Sequence, residues 1–234
     1  MPLVLALGAG LAGIATIAVL ARRERSARTA RQSQLFDACR GLFETSRVAA
    51  GPDGFPRLDA VLAGRPVRLV AIPDTLTLKR LPQLWLAVSV KGELPVTADL
   101  ALLARANGAE FFAITQRLRV RLDLTAPLTG ELLARGSHAD AQAVLDRLAT
   151  PLSMIFADPK VKEVAVTRQG LRLCYQASEG KRGEHLLLRQ SAFPDGAMDP
   201  ARVLAIVDQL LGLDAALRPE GSAHCPAPRS AALG

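Results

Sequence analysis

The chain has 234 residues, a formal net charge of +7 and 50% hydrophobic residues, but only 4% aromatic ones. That length admits one domain or two small ones, with ample material for a core. One Trp and one Tyr leave little for base-stacking platforms, which argues against a nucleic-acid surface. Three cysteines (Cys39, Cys174 and Cys225), odd in number, far apart and in no metal-ligand spacing, argue against a disulfide framework. They suit burial in a reducing compartment.

Residues 2–20, PLVLALGAGLAGIATIAVL, carry no charge and are followed by Arg22, Arg23, Arg25, Arg28 and Arg31, with only Glu24 opposing them. A spanning helix needs roughly 20 apolar residues, because about 30 Å of hydrocarbon is crossed at about 1.5 Å per residue. The run meets that length and reads as a single transmembrane anchor. Gly8, Gly10 and Gly13 spell a G-x-G-x-x-G. The basic, non-strand sequence after them lacks the second strand and acidic residue of a dinucleotide fold. A cleaved signal peptide would need a basic n-region, which residues 1–7 lack. The arginine collar after the span places the following domain on the cytoplasmic side, with the N-terminus outside, and offers charge to anionic headgroups. Gly8, Ala12 and Thr16 recur every fourth residue, with Ala9 and Gly13 beside them. That face permits close packing against another membrane helix.

Residues 21–49 form a basic juxtamembrane segment and an expected amphipathic helix, since Leu35, Cys39, Leu42, Phe43 and Ser46 follow a helical period. The sequence Gly51-Pro52-Asp53-Gly54 ends it. Segments 66–73 and 84–91 read as strands, and 99–105 is apolar but of less certain type. Segment 117–124 alternates strictly: Leu118, Val120, Leu122 and Leu124 against Arg117, Arg119, Arg121 and Asp123. That is the pattern of a half-buried strand.

Ser137 is the expected N-cap of a helix with an apolar stripe from Ala141 to Phe156, kinked or interrupted at Pro151 and closed by Asp158-Pro159. Strands 161–167 and 171–177 flank a short Arg168-Gln169-Gly170 turn, and 184–193 reads as a third strand. Asp199 and Pro200 open the last helix, with Val203, Leu204, Val207, Leu210 and Leu211 as its stripe. Residues 218–234 lack periodicity and read as a disordered tail. The expected fold is α+β: an N-terminal transmembrane helix, then a globular domain over 50–217 of mainly antiparallel sheet packed by about three amphipathic helices. Its helix-then-strand order repeats coarsely and suggests two halves, 50–136 and 137–217.

No catalytic, cofactor-binding or metal-binding set emerges. His138, His185 and His224 are isolated from convergent partners, and His224-Cys225 supplies two ligands of the usual four. Nucleophile and phosphate-loop motifs are missing. Asp158, Lys160, Lys162 and Glu163 read as an ordinary solvated mixture. Two basic features stand out: Arg117, Arg119 and Arg121 along one strand face, and Arg168, Arg172, Lys181 and Arg182 around the later turns. Such a stripe either keeps an exposed sheet soluble or meets an anion or acidic partner. The expectation is a non-enzymatic accessory, scaffold or assembly subunit of a membrane complex, with the bilayer and other membrane subunits as partners. The alternative is an anion- or small-ligand-binding sensor or enzyme whose site is assembled from residues distant in sequence.

Overall fold

The computed structural model describes residues 16, 19, 20, 22, 23, 33–51, 55–74, 82–108, 110–179 and 198–218. In chain order the strands are β1 (Thr45–Ala50), β2 (Pro56–Leu62), β3 (Arg65–Asp74), β4 (Gln83–Lys91), β5 (Leu100–Ala104), β6 (Val120–Arg121) and β7 (Leu132–Gly136). Helix α1 (Ala141–Phe156), β8 (Val161–Thr167), β9 (Gly170–Glu179) and α2 (Pro200–Leu217) follow. All nine strands join one sheet, ordered β1-β2-β3-β4-β9-β8-β5-β7-β6, and every neighbouring pair is antiparallel. This is the expected α+β class, with a mainly antiparallel sheet and few helices.

The two helices cover one side of the sheet. Alternate residues of the strands, among them Leu58, Leu69, Leu86, Val88, Leu100, Leu102, Val164 and Leu173, face a shared core and are almost wholly buried. From α1 come Leu145, Leu148 and Leu152; from α2 come Ile206, Val207, Leu210 and Leu213. Removing each such leucine from water contributes roughly 1.5–3 kcal/mol, which makes this face the main source of stability. Strand β5 is buried at all five residues because its other side is covered as well. That is why its sequence shows an unbroken apolar run instead of alternation.

Several expectations need correction. Residues 45–50 are not helical: a short 3-10 turn (Asp37–Leu42) ends at Phe43, and Thr45–Ala50 pairs with β2 instead. The helical spacing rested on a few positions, of which Leu35 and Cys39 are indeed buried, alongside Phe36. Beyond them the ladder to β2, with Val48 against the core, satisfies the backbone better than another helical turn. Strands β2 and β7 went unforeseen. The former opens with Pro56 and interleaves Arg57 and Asp59, and the latter has only five residues. Segment 117–124 keeps its alternating burial as far as Leu122, but Leu124 is exposed and only Val120 and Arg121 pair in the sheet.

Ser137 does not cap α1. Its Oγ accepts from the Asp99 N–H at 3.0 Å and ties the helix start to β5, while Asp140 holds the N-cap position without a side-chain bond. Pro151 does not interrupt α1, which runs on to Phe156. Burial of Leu148, Ala149, Leu152 and Ile155 on both sides of it outweighs the proline's cost of about 3 kcal/mol. In α2 the Asp199 cap and Pro200 are as expected, with the Asp199 carboxylate accepting from the Ala201 N–H. Leu204 is exposed, and Leu213 and Leu217 complete the buried stripe in its place. The expected strand at 184–193 and the expected tail beyond Arg218 lie outside the described residues.

Gly170 closes the β8–β9 turn at φ +142°, and a Cβ there would sit 2.3 Å from the Val90 carbonyl oxygen. Gly212, inside α2, faces open space. Gly170→Ala should therefore lower stability by more than about 1 kcal/mol, whereas Gly212→Ala should raise it by about 0.5–1 kcal/mol. Urea denaturation followed by circular dichroism checks both. Equal effects of the two substitutions would contradict this turn geometry.

Candidate functional site

Residues 105–108 and 110–119 follow β5 and lie across the side of the sheet that faces away from the helices. Their placement depends on charges that are almost completely buried. Lys162, at an irregularity in the β8–β9 register, is 5% exposed, and Glu110 is 3% exposed. Their side chains meet at 2.7 Å. The Lys162 ammonium also donates to the carbonyls of Ala104 and Arg105, at 2.9 and 2.8 Å. Glu110 accepts in addition from the N–H groups of Asn107 and Gly108, both at 3.0 Å. Every polar direction of the pair is thus used, the condition under which a buried ion pair is tolerated.

A second group lies beside it. Glu163, 1% exposed, accepts from both the N–H and the hydroxyl of Thr115, at 2.8 and 2.7 Å. Arg172 approaches its other oxygen at 3.4 Å and donates to the Phe112 carbonyl at 3.0 Å. Trp85 and Phe112 pack with their rings tilted and centroids 5.4 Å apart, and Phe111 packs edge-on against Phe112 while remaining 53% exposed. The 3-10 turn Ile114–Arg117 then seals Ala101 and Ala165 beneath Leu118. The two carboxylates titrate in opposite directions. Burial pushes Glu110 up, but Lys162 and the Asn107 amide outweigh it and hold its pKa below the ordinary value. For Glu163 burial prevails over the Thr115 hydrogen bonds and Arg172, and its pKa is raised.

Lys162 and Glu163, expected in a solvated mixture, are therefore the centre of this arrangement. The sequence held a signal for them: a Lys-Glu pair inside the apolar strand VKEVAV must put at least one charge onto a buried face. Glu110 and Thr115, far away in the chain, carried none.

Arg117, Arg119 and Arg121 are all exposed and form no ion pair among the described residues. Of the later basic group, Arg172 is committed to Glu163, Arg168 lines an open cleft of about 500 Å³ with Gly92, Glu93 and Gln169, and Lys181 and Arg182 lie outside the described residues. His138 stands exposed with its Nδ1 3.8 Å from Asp140. No group of three or more potential metal-ligating side chains converges among the described residues. Cys39 and Cys174 are buried free thiols. Burial, reinforced by Asp199, pushes Cys39 up to about 11, and burial pushes Cys174 up to about 12.

Towards the N-terminus, Thr16, Val19, Leu20, Arg22 and Arg23 are helical and exposed. Gly8, Ala9, Ala12, Gly13, Arg25, Arg28 and Arg31 lie outside the described residues, as does most of the apolar run. Among the described residues no helix is long and apolar enough to cross a membrane.

No family model matches the chain, and no curated protein matches it. Among solved structures it is similar to the crystal structure of the mycobacterial trehalose monomycolate transport factor A, TtfA. The identity is 13% over 70% of this chain and 73% of that one, with a TM-score of 0.38. A likeness of that size carries no argument about fold or role.

Three outcomes are expected. Lys162→Met should cost about 3–5 kcal/mol by stranding Glu110, and adding Glu110→Leu should restore only part of it, since the Asn107 and Gly108 N–H groups then lose their acceptor. Additive losses in that pair of variants, measured by denaturant titration, would mean that the two charges do not act together. Because the folded pKa of Glu163 is raised, its contribution is complete at low pH and is lost as pH rises above the ordinary value of 4.5 and through the folded pKa. The stability of Glu163→Gln relative to the parent should thus climb with pH across that window, and a pH-independent difference would contradict it. Finally, iodoacetamide at neutral pH should leave Cys39 and Cys174 unmodified until the chain is denatured, since the thiolate is the reactive form. Mass spectrometry of the digested peptides reads this directly.

Proposed function

We propose that the chain is a single-span membrane protein whose domain acts on the cytoplasmic side as a non-enzymatic accessory or assembly subunit of a membrane complex. The observation that carries this reading is the uncharged run 2–20 followed at once by five arginines. Its length suits the hydrocarbon core, and its flanking charge suits a cytoplasmic C-terminal side. The exposure of Val19 and Leu20, at 51% and 58%, next to exposed Arg22 and Arg23 supports it: this part of the helix does not bury its apolar residues in the domain. The small-residue face of Gly8, Ala12 and Thr16, flanked by Ala9 and Gly13, provides a surface for a partner helix, where close backbone approach substitutes for a hydrophobic driving force.

The second reading, a sensor or enzyme for a small anion, draws on Arg117, Arg119 and Arg121, exposed and without an ion pair among the described residues, and on the cleft beside Arg168. A phosphate-bearing ligand would raise the melting temperature of the detergent-solubilised chain. No shift with any nucleotide or phosphorylated metabolite at millimolar concentration would leave this reading without support.

Fractionation together with C-terminal reporters active only inside or only outside the cytoplasm tests the main reading. The expected result is a membrane-bound chain with an internal C-terminus; an external C-terminus or a soluble chain would overturn it. Gly8→Leu combined with Ala12→Leu should preserve membrane insertion but abolish co-purification of partner subunits after mild detergent extraction. An unchanged set of co-purified proteins would remove the helix-packing part of the proposal.

A further inference from the structure

The cross-strand register lines up one row of residues across the whole sheet. Arg121 opposes Arg135, which opposes Ala101; then follow Ala165, Arg172, Ser89, Arg68, Asp59 and Arg47 on successive strands. Directly paired residues share a face. The contacts of Ala101 and Ala165 with Leu118 identify it as the face away from the helices. Nine strands spaced about 4.8 Å apart make this row about 40 Å long. It holds five arginines and one acid, Asp59, which is already bound by Arg57 and Arg68. Arg172 and Arg135 turn inward, to Glu163 and to the Leu118 carbonyl. Arg47 at one end, and Arg121 with Arg117 and Arg119 at the other, remain exposed and without an ion pair among the described residues.

Between these ends Phe111 stands on the segment that crosses the same face. It is a large apolar ring left 53% exposed and packed edge-on against Phe112, which in turn packs at a tilt against Trp85. An outward aromatic ring with cations on either side is what the boundary between headgroups and acyl chains accommodates.

We infer that this face of the sheet rests on an anionic lipid surface, with Phe111 entering the headgroup boundary and the arginines around it holding lipid phosphates. The inference rests on the membrane reading above, through the tether. From Leu20 to the buried Leu35 there are fifteen residues, which reach at most about 50 Å, so a span at 2–20 confines the domain to the bilayer's vicinity. Charge spacing favours lipid over an acidic protein. The free arginines lie at opposite ends of a wide face, and mobile headgroups meet any spacing whereas a folded partner must match it. Nucleic acid is disfavoured because Trp85 and Tyr175 are buried, at 6% and 5% exposure, and offer no stacking platform.

The test uses the full chain carrying Cys225→Ser and Phe111→Cys, labelled at position 111 with a polarity-sensitive dye. It is reconstituted into phosphatidylcholine vesicles with and without phosphatidylglycerol. The dye should emit to the blue only with the anionic lipid, lose that shift as salt is raised, and lose it in the Arg117→Glu, Arg119→Glu, Arg121→Glu background. Unchanged melting of that exposed triple variant confirms its fold, and the salt titration reads the same effect without any charge substitution. Identical emission in both vesicle types, or a shift that survives charge reversal, would overturn the inference. So would a shift produced by soluble polyglutamate but not by vesicles, which would assign the face to an acidic protein. Flotation with neutral vesicles reports the anchor independently of dye colour. Failure of the span and failure of this face are therefore distinguishable.

Discussion

The antiparallel pairing of β4 with β9 is the contact on which the architecture depends. It runs from Gln83 opposite Glu179 to Lys91 opposite Gly170 and joins two strands that the whole stretch between residues 91 and 170 separates in the chain. On one side of it lie β1 to β3, a simple meander; on the other lie β8, β5, β7 and β6. Strand β4 can occupy that central place because it is buried on both faces: Leu84, Leu86, Val88 and Val90 enter the helix-covered core, while Trp85 and Ala87 are buried on the other side. Closing so long a loop costs entropy before any ladder bond repays it. The early meander and the later hairpin, both local, are thus expected to form before the seam between them.

The two sides of the sheet solve different problems. The helix side is bulk hydrophobic burial, tolerant of detail and responsible for most of the stability. On the other side, the segment 105–119 is held by Glu110–Lys162 and Thr115–Glu163–Arg172, interactions that are directional and adequate only when complete. Such pairs add little net stability but penalise wrong registers heavily, so their effect is on where the segment sits. What they position is the outward Phe111 and the exposed arginines that follow it.

Much of the sheet was readable where one face is wet and the other dry. The alternation of β3 and of the stretch around Arg121 carried its period in plain view, whereas β4 and β8, buried on both faces, were legible as short apolar, β-branched runs; the turn at Gly170 and the start of α2 were marked by their Gly, Asp and Pro. What escaped has physical causes. Strand β1 competes with a helical reading because Leu35 and Cys39 are buried from a 3-10 turn whose spacing resembles an α-helix over so short a length. Strand β2 hides behind Pro56, which is tolerable at the first residue of a strand, and behind Arg57 and Asp59, whose side chains lie towards a face that is only partly covered. The site suffered most. Glu110 meets Lys162, and Thr115 meets Glu163, only after the chain folds back on itself, and no spacing along the sequence encodes that meeting.

Strand β6 has a further consequence. Among the described residues it is the last strand of the sheet on its side, and only two of its residues pair. An open edge with free amides and carbonyls is a template on which a second chain can add, the first step of sheet-to-sheet aggregation. Here the template is very short, and Arg119 and Arg121 would bring like charge against like charge if two copies met edge to edge. The positive charge that the proposed lipid contact would use thus also makes this rim repellent to itself. Colloidal solubility would then share one electrostatic arrangement with the proposed recognition.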